Sequence, residues 1–501
     1  MLLLGLGLLR AVFHSEHTAA TPPVALPMAA RPPMGWRSWN AFGLRIDQQL
    51  MLRQAAALAA SGPFGTPSLA SLGYGEIGVD DGWQACGLGK AGTWHSESGM
   101  PLVNKTAFPS LRRLVSQSHH LGVRVGWYVN TCWCNERERH VWPRGNPAPD
   151  AALVLDSGFD GVKIDGCGPA RDMREWTRRL AGSHVVVENC ANNGAVGGKG
   201  WTPARPHDVA GSQCDGFHFY RVSRDIAPQF YSTMYNLQQL RAFLGGKSDS
   251  HGVPKPPLSR PGCWAHPDML MVGRIGPTEG RSHFGAWCIT SSPLILSFDL
   301  SNADLLARVR PIITNPLALM VQQAWAGSPG QLLVESTRRF NATVWHDVDA
   351  NGACGRKGRC ERYAFPVWQA WSKPLNATTL ALLVINLGEV SLEGGGGDAS
   401  ALYHSTPPPS RDATASASGL VVSVQRSLER LGWALPALTR VTDVWSQQVV
   451  SDDCKAQACV ALALRQHIAP HDSVFLLVER RGLSEVDSRH GQRGRARTAK
   501  S

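Results

Sequence analysis

From Pro33 onward the chain alternates between two textures. Short apolar runs such as Val185-Val186-Val187 and Leu294-Ile295-Leu296 carry no polar interruption, as strands buried on both faces of a parallel sheet require. The pattern predicts eight strands, at 34–40, 74–83, 123–130, 161–168, 184–190, 216–223, 263–270 and 293–300. Stretches with helical spacing lie between most of them, at 48–60, 111–120, 171–180, 229–244 and 279–290, and 302–313 follows the eighth. Eight strand–helix units in succession make a (β/α)8 TIM barrel. An open doubly wound sheet is the alternative, but no G-x-G-x-x-G follows the first strand.

The polar residues favour the barrel. Trp39, Asp80, Asp81, Tyr128, Lys163, Asp165, Glu188, Arg221 and Asp268 all fall toward the C-terminal ends of different strands. A barrel brings those ends to one rim, where active sites are built. After Gln323 the texture changes to short strands at 332–334, 343–345, 380–385, 420–424 and 474–478, separated by Gly, Pro and Ser. That pattern predicts a C-terminal antiparallel β-sandwich. The expected organisation is a leader at 1–30, the barrel at 31–322, the β domain at 323–480 and a basic tail at 481–501, with a flexible Gly/Ser/Pro-rich loop at 394–417.

Composition changes this picture little. Of the net charge of +11, the short segment 480–501 supplies +5, from seven Lys/Arg against Glu485 and Asp487, and the rest of the chain carries +6. Poor in apolar residues, this tail is expected to be disordered. No nucleic-acid-binding motif is present. The 17 Trp suit sugar faces or a core equally well. The 12 Cys match no zinc ribbon or finger spacing, so disulfides are expected, with Cys354–Cys360 and Cys454–Cys459 bounding short loops, and no metal. The apolar run 2–9 and the sequons at Asn104, Asn341 and Asn376 fit a glycoprotein of the secretory lumen or the extracellular space. No other stretch is long and apolar enough to span a bilayer.

Glycosidic cleavage needs one carboxylate below the anomeric carbon and one acid beside the leaving oxygen. In Lys163-Ile164-Asp165, the alternation of a strand points Lys163 and Asp165 the same way, and the ammonium is expected to hold Asp165 ionised as a nucleophile. Asp225 lies just past the sixth strand, four residues after Arg221, where a loop can hold it beside the leaving group.

Met34-Gly35-Trp36-Arg37-Ser38-Trp39-Asn40, Val79-Asp80-Asp81-Gly82-Trp83, Lys163 through Cys167, Arg221 through Asp225 and Pro267-Asp268-Met269 together resemble glycoside hydrolase family 27. The likeness runs in order from about Pro33 to Gly330. It implies a retaining α-galactosidase acting on a galactose-containing glycan, with carboxylates and water as its only chemistry and no cofactor. By position it implies Asp165 as nucleophile and Asp225 as acid/base. Asp80 and Asp81 would bind the C4 and C6 hydroxyls, and Trp39, Tyr128, Lys163 and Arg221 would be further sugar contacts. A disulfide Cys134–Cys167 is implied as well, with Cys132 as the alternative partner, and a homodimer is compatible with the family.

Two departures stand out. After Cys190, where the family reads the C2 substituent, the chain has Ala191-Asn192-Asn193-Gly194. Before Asp268 it has Ala265-His266-Pro267, and His266 is read as structural. α-N-acetylgalactosaminidase and β-L-arabinopyranosidase activities are the alternatives within the family. A sugar-binding protein without catalysis is the alternative outside it.

Overall fold

In the computed structural model the described residues are 29–62, 65–130, 134, 136, 146–165, 173–190, 214, 217–246, 256–346, 360–392, 417–433, 438–455, 464 and 468–480. Residues 1–28 of the expected leader, the basic tail at 481–501 and residues 394–416 of the expected loop lie outside them, while Ala417 begins a helix.

All eight expected barrel strands form, each shorter than its apolar run: β1 (Met34–Arg37), β2 (Glu76–Gly78), β3 (Arg124–Val129), β4 (Gly161–Asp165), β5 (Val186–Cys190), β6 (Phe219–Arg221), β7 (Trp264–His266) and β8 (Leu294–Leu296). They pair in parallel in the order β7-β6-β5-β4-β3-β2-β1-β8. A parallel bridge between Leu270, beyond β7, and Leu296 of β8 closes the ring. The helices are a single turn α1 (Trp39–Phe42), α2 (Gln48–Ala59), α3 (Leu111–His120), α4 (Pro147–Ser157), α5 (Met173–Leu180), α6 (Phe230–Leu244), α7 (Pro277–Ile289), α8 (Ala303–Ile313) and α9 (Pro316–Gln323).

Helix α2 shows how local sequence sets these elements. Asp47 accepts the Leu50 N–H at 2.7 Å to cap its start, and Leu50, Met51, Gln54, Ala55 and Leu58 make its buried stripe. The pattern did not predict α4 or α9. Both begin at a proline, which reads as a breaker along the chain but suits the first turn of a helix, whose N–H has no partner.

Behind the barrel, β9 (Gln331–Glu335) leads into a separate antiparallel hairpin, β10 (Arg339–Trp345) with β11 (Cys360–Pro366). Strands β12 (Trp368–Pro374), β13 (Thr379–Asn386), β14 (Leu438–Asp443), β15 (Val449–Lys455) and β16 (Ser473–Arg480) join β9 in one antiparallel sheet, ordered β15-β14-β16-β13-β12-β9. Strand β13 alternates cleanly. Ala381, Leu383 and Ile385 pack into the barrel's core, while Leu380, Leu382 and Val384 face a second apolar cluster.

That second cluster corrects one expectation. Residues 420–424 are not a strand but part of helix α10 (Ala417–Leu428). Leu420, Val421, Val424 and Leu428 recur at helical spacing and cover the outer face of the sheet. A five-residue apolar window cannot tell the two periods apart.

The disulfide expectation is also corrected. Cys134 bonds Cys86, not Cys167, with the Cα atoms 5.3 Å apart. Adjacency of strand ends was the right criterion, but β3 has two neighbours, and it is the loop after β2 that supplies the partner. Cys132 and Cys167 lie outside the described residues. Cys214 bonds Cys263, Cys360 is also disulfide-bonded, and Cys190 and Cys288 are buried free thiols.

Candidate active site

The polar residues read from the strand ends do converge. Asp80 and Asp81 follow β2, Tyr128 lies on β3, Lys163 and Asp165 on β4, Glu188 on β5, Arg221 on β6, and Asp268 follows β7. All are buried except Asp165, which is half-buried at the rim. Trp39, on the turn after β1, is likewise half-buried and packs on the core.

Beneath the rim the charges are paired. Lys163 Nζ donates to Asp80 Oδ2 at 2.8 Å. Arg37 Nη1 stands 3.8 Å from the same oxygen, and its Nη2 donates to Glu188 Oε2 at 3.1 Å. Burial is the largest single influence and opposes the charge on Lys163, but Asp80, Cys190 and Glu188 together outweigh it, and the ammonium's pKa ends above its ordinary value. Such pairs are expensive to bury and persist only with close geometry. Here they fix the Asp80 carboxylate in place as an acceptor at the rim.

Asp81 is held differently. Its Oδ1 accepts from Gln84 Nε2 at 2.7 Å and from the Gly82 N–H at 3.1 Å. Burial is the largest influence and raises its carboxyl to about 7, with Asp80 and Asp165 adding to the rise. Gly82 is required where it stands. Its φ is +114°, and a Cβ there would lie 2.7 Å from the Leu44 carbonyl oxygen.

Lys163 and Asp165 lie two apart on β4, as read, but the ammonium bonds Asp80 rather than Asp165. Asp165 instead accepts from the Tyr128 hydroxyl at 2.5 Å, and Asn130 Nδ2 donates to that hydroxyl at 3.1 Å. The expected depression of the Asp165 pKa does not result. Desolvation raises it above the ordinary carboxylate value, Lys163 and Tyr128 pull it back only in part, and Asp225 and Asp80 raise it further.

Across the rim, Arg221 Nη2 reaches Asp225 Oδ1 and Asp268 Oδ2, both at 2.9 Å. The Asp225 side chain is 39% exposed, and that of Asp268 is 3%. Asp268 adopts φ +86°, a strained conformation for a non-glycine residue. Bonds from the Met269 and Ile226 N–H groups to its carboxylate, both at 2.8 Å, hold it there. His266 is buried among Arg221, Lys163 and Arg37. Burial first, then those cations, push its pKa far down, so it is a neutral barrel residue.

Sequence reasoning placed Asp268 and Glu188 at the rim without giving them a role, and it missed Arg37, Gln84 and Asn130. A charge at Arg37, ending an otherwise apolar strand, was the available signal. Gln84 and Asn130 had none, because only the fold brings them to Asp81 and Tyr128. Among the described residues, no group of three or more His, Cys, Asp or Glu is placed to hold a metal ion.

A sequence profile described as alpha galactosidase A matches residues 31–324, over half of the chain. The chain is 29% identical to alpha-galactosidase A of Cellvibrio japonicus over 339 residues, covering 64% of this chain and 74% of that protein. It is 27% identical to alpha-galactosidase 2 of Arabidopsis thaliana over 344 residues, covering 65% and 77%. Among solved structures, alpha-galactosidase I from Mortierella vinacea superposes with TM-score 0.58 at 18% identity, covering 91% of this chain and 98% of that one. A family 27 β-L-arabinopyranosidase from Geobacillus stearothermophilus gives TM-score 0.59 at 15% identity, with the same coverage. Likeness at these identities is one of fold.

Proposed function

Since the chain belongs to glycoside hydrolase family 27, the family of the α-galactosidases, we propose that Asp165 and Asp225 are its catalytic pair. The enzyme is an α-galactosidase, and its substrate is a terminal α-D-galactosyl residue. Asp165 attacks the anomeric carbon while Asp225 protonates the departing oxygen. Asp225 then takes a proton from water, and that water cleaves the galactosyl ester with net retention.

One observation carries this reading. Two carboxylates, one at the end of β4 and one just past β6, share one rim, close enough that Asp225 raises the cost of ionising Asp165, and each has a bonding partner. Tyr128 steadies the charge of Asp165, as a nucleophile needs. Arg221 orients Asp225, which stays partly open to solvent, as a group exchanging protons with a leaving group and with water needs.

Asp80 and Asp81 serve as acceptors for the axial O4 and the O6 of galactose. A glucoside has O4 equatorial and would leave a desolvated carboxylate without its donor, which supports discrimination of roughly 10⁴-fold. The segment 191–194, expected to read C2, lies outside the described residues, so galactose is preferred over N-acetylgalactosamine on the relatives' activity. The disulfides support folding in an oxidising lumen or outside the cell. No helix among the described residues is long and apolar enough to cross a membrane.

Trapping with a 2-deoxy-2-fluoro-galactosyl donor tests the assignment. The label is expected on Asp165, and Asp165→Asn should lose several orders of magnitude in kcat with the fold intact. A label on another carboxylate would overturn it. Comparing kcat/KM for nitrophenyl α-galactoside, α-N-acetylgalactosaminide, β-L-arabinopyranoside and α-glucoside tests the sugar.

A further inference from the structure

The segment carrying Asp225 is a loop, half-exposed at its key residue, yet its backbone is held from two sides. On the barrel side, Asp268 Oδ2 accepts the Ile226 N–H at 2.8 Å, and Asn236 Nδ2, from α6, donates to the Arg224 carbonyl at 3.0 Å. On the other side lies the β10–β11 hairpin, which belongs to the C-terminal region.

Among the described residues, strand β10 pairs with β11 along one edge only, so its other edge presents N–H and C=O groups that need partners. The segment 226–229 supplies them. Ile226 and His346 form an antiparallel bridge. Gln229 then uses its side-chain amide as a strand would, with Nε2 donating to the Thr343 carbonyl and Oε1 accepting the Trp345 N–H, both at 2.9 Å. His346 fixes this edge. Its side chain is buried, its Nε2 lies 3.3 Å from Glu361 of β11, and its ring meets Tyr235 of α6 edge-on at 4.8 Å.

We propose that the β10–β11 hairpin is the positioning element for the acid/base carboxylate, and that Gln229 and His346 are positioning residues acting through the backbone that follows Asp225. This rests on the assignment of Asp225 as acid/base. The hairpin makes the C-terminal region part of the catalytic apparatus, because the loop has no strand of its own to hold its register. A displacement of about 1 Å is enough to cost a general acid much of its effect.

Two α-galactosides separate the possibilities, with melibiose as the poor leaving group and the 2,4-dinitrophenyl glycoside as the good one. Gln229→Met keeps the side chain's bulk and removes both bonds to β10. Its kcat/KM should fall about tenfold or more on melibiose and stay within about twofold on the dinitrophenyl substrate. Asp225→Ala, measured alongside, should show the same split more strongly. If Asp225→Ala shows the split and Gln229→Met changes both substrates equally, or neither, the positioning role is overturned while the acid/base assignment stands. If Asp225→Ala itself loses both substrates equally, that assignment fails and the proposal with it. His346→Ala checks the hairpin side and should reproduce the Gln229→Met split. Circular dichroism and Tm identify a variant that has lost its fold, whose activity would fall on both substrates alike.

Discussion

The hydroxyl of Tyr128 bonds Asp165 from the neighbouring strand, so it helps to set the acid limb of activity. A nucleophile works only when ionised, and Asp165 already titrates above the ordinary carboxylate value because of desolvation. Tyr128→Phe removes a bond that lowers that value. The acid limb of kcat/KM, which reports the free enzyme, should move to higher pH. A limb that stays put or moves down would separate Tyr128 from the nucleophile's ionisation. Asp81 makes the opposite case for stability. Its carboxyl titrates near 7 in the fold against 3.8 ordinarily, so the folded state holds a proton that the unfolded state has released, and stability falls as pH rises through that interval. Asp81→Asn abolishes the ionisation. It should raise Tm at about pH 8 and leave it nearly unchanged at about pH 4, while kcat/KM for α-galactosides collapses.

At the scale of elements, caps and cross-links tie separate segments together. Asn315 is 2% exposed and does two jobs. Its Oδ1 caps α9 through the Leu317 and Ala318 N–H groups, and its Nδ2 donates to the Val444 carbonyl just past β14 at 2.7 Å. Asn315→Ala should cost about 1–3 kcal/mol in denaturant unfolding, and Asn315→Asp, which keeps the cap, should cost roughly half of that. The disulfide Cys86–Cys134 spans 48 residues and joins the loop that follows Asp80 and Asp81 to the loop that follows Tyr128. Non-reducing peptide mapping should recover this pair. Replacing both cysteines by serine should lower stability by up to about 4 kcal/mol on the chain-entropy argument.

The molecule as a whole has no clean seam. One apolar core runs from the barrel strands through α7 into the sheet behind, taking in Trp371, Leu383, Ile385, Phe475 and Leu477 beside Phe284, Trp287 and Ile289. Polar contacts reinforce it. Arg281 of α7 donates to both oxygens of Asp472, at 2.7 and 2.6 Å, and Lys373 of β12 is buried against Ser291 just past α7 at 2.6 Å. A fragment ending at residue 324 would expose that face of α7. It should aggregate or lack near-ultraviolet circular dichroism when expressed alone, whereas the full chain unfolds in one transition. A soluble, active barrel fragment would contradict both the shared core and the role of the hairpin.

The sequence alone determined the strand order, most of the helices and which polar residues meet at the rim. Those are consequences of local period: an apolar run marks a buried strand, and a residue at its C-terminal end has one place to go in a barrel. Spacing also put Lys163 and Asp165 in phase, because alternation is a local property of β structure. Which partner each side chain takes was decided only in three dimensions. Lys163 bonds Asp80 beyond β2, Asp165 takes the Tyr128 hydroxyl and is governed by desolvation, and Cys134 turned to β2's loop rather than β4's. The helical residues 420–424 needed the sheet they cover to reveal their period. The bond between Gln229 and β10 joins residues more than a hundred positions apart, and nothing in either segment announces it. Distance and burial set hydrogen bonds, ion pairs and proton affinities, and both are properties of the folded chain.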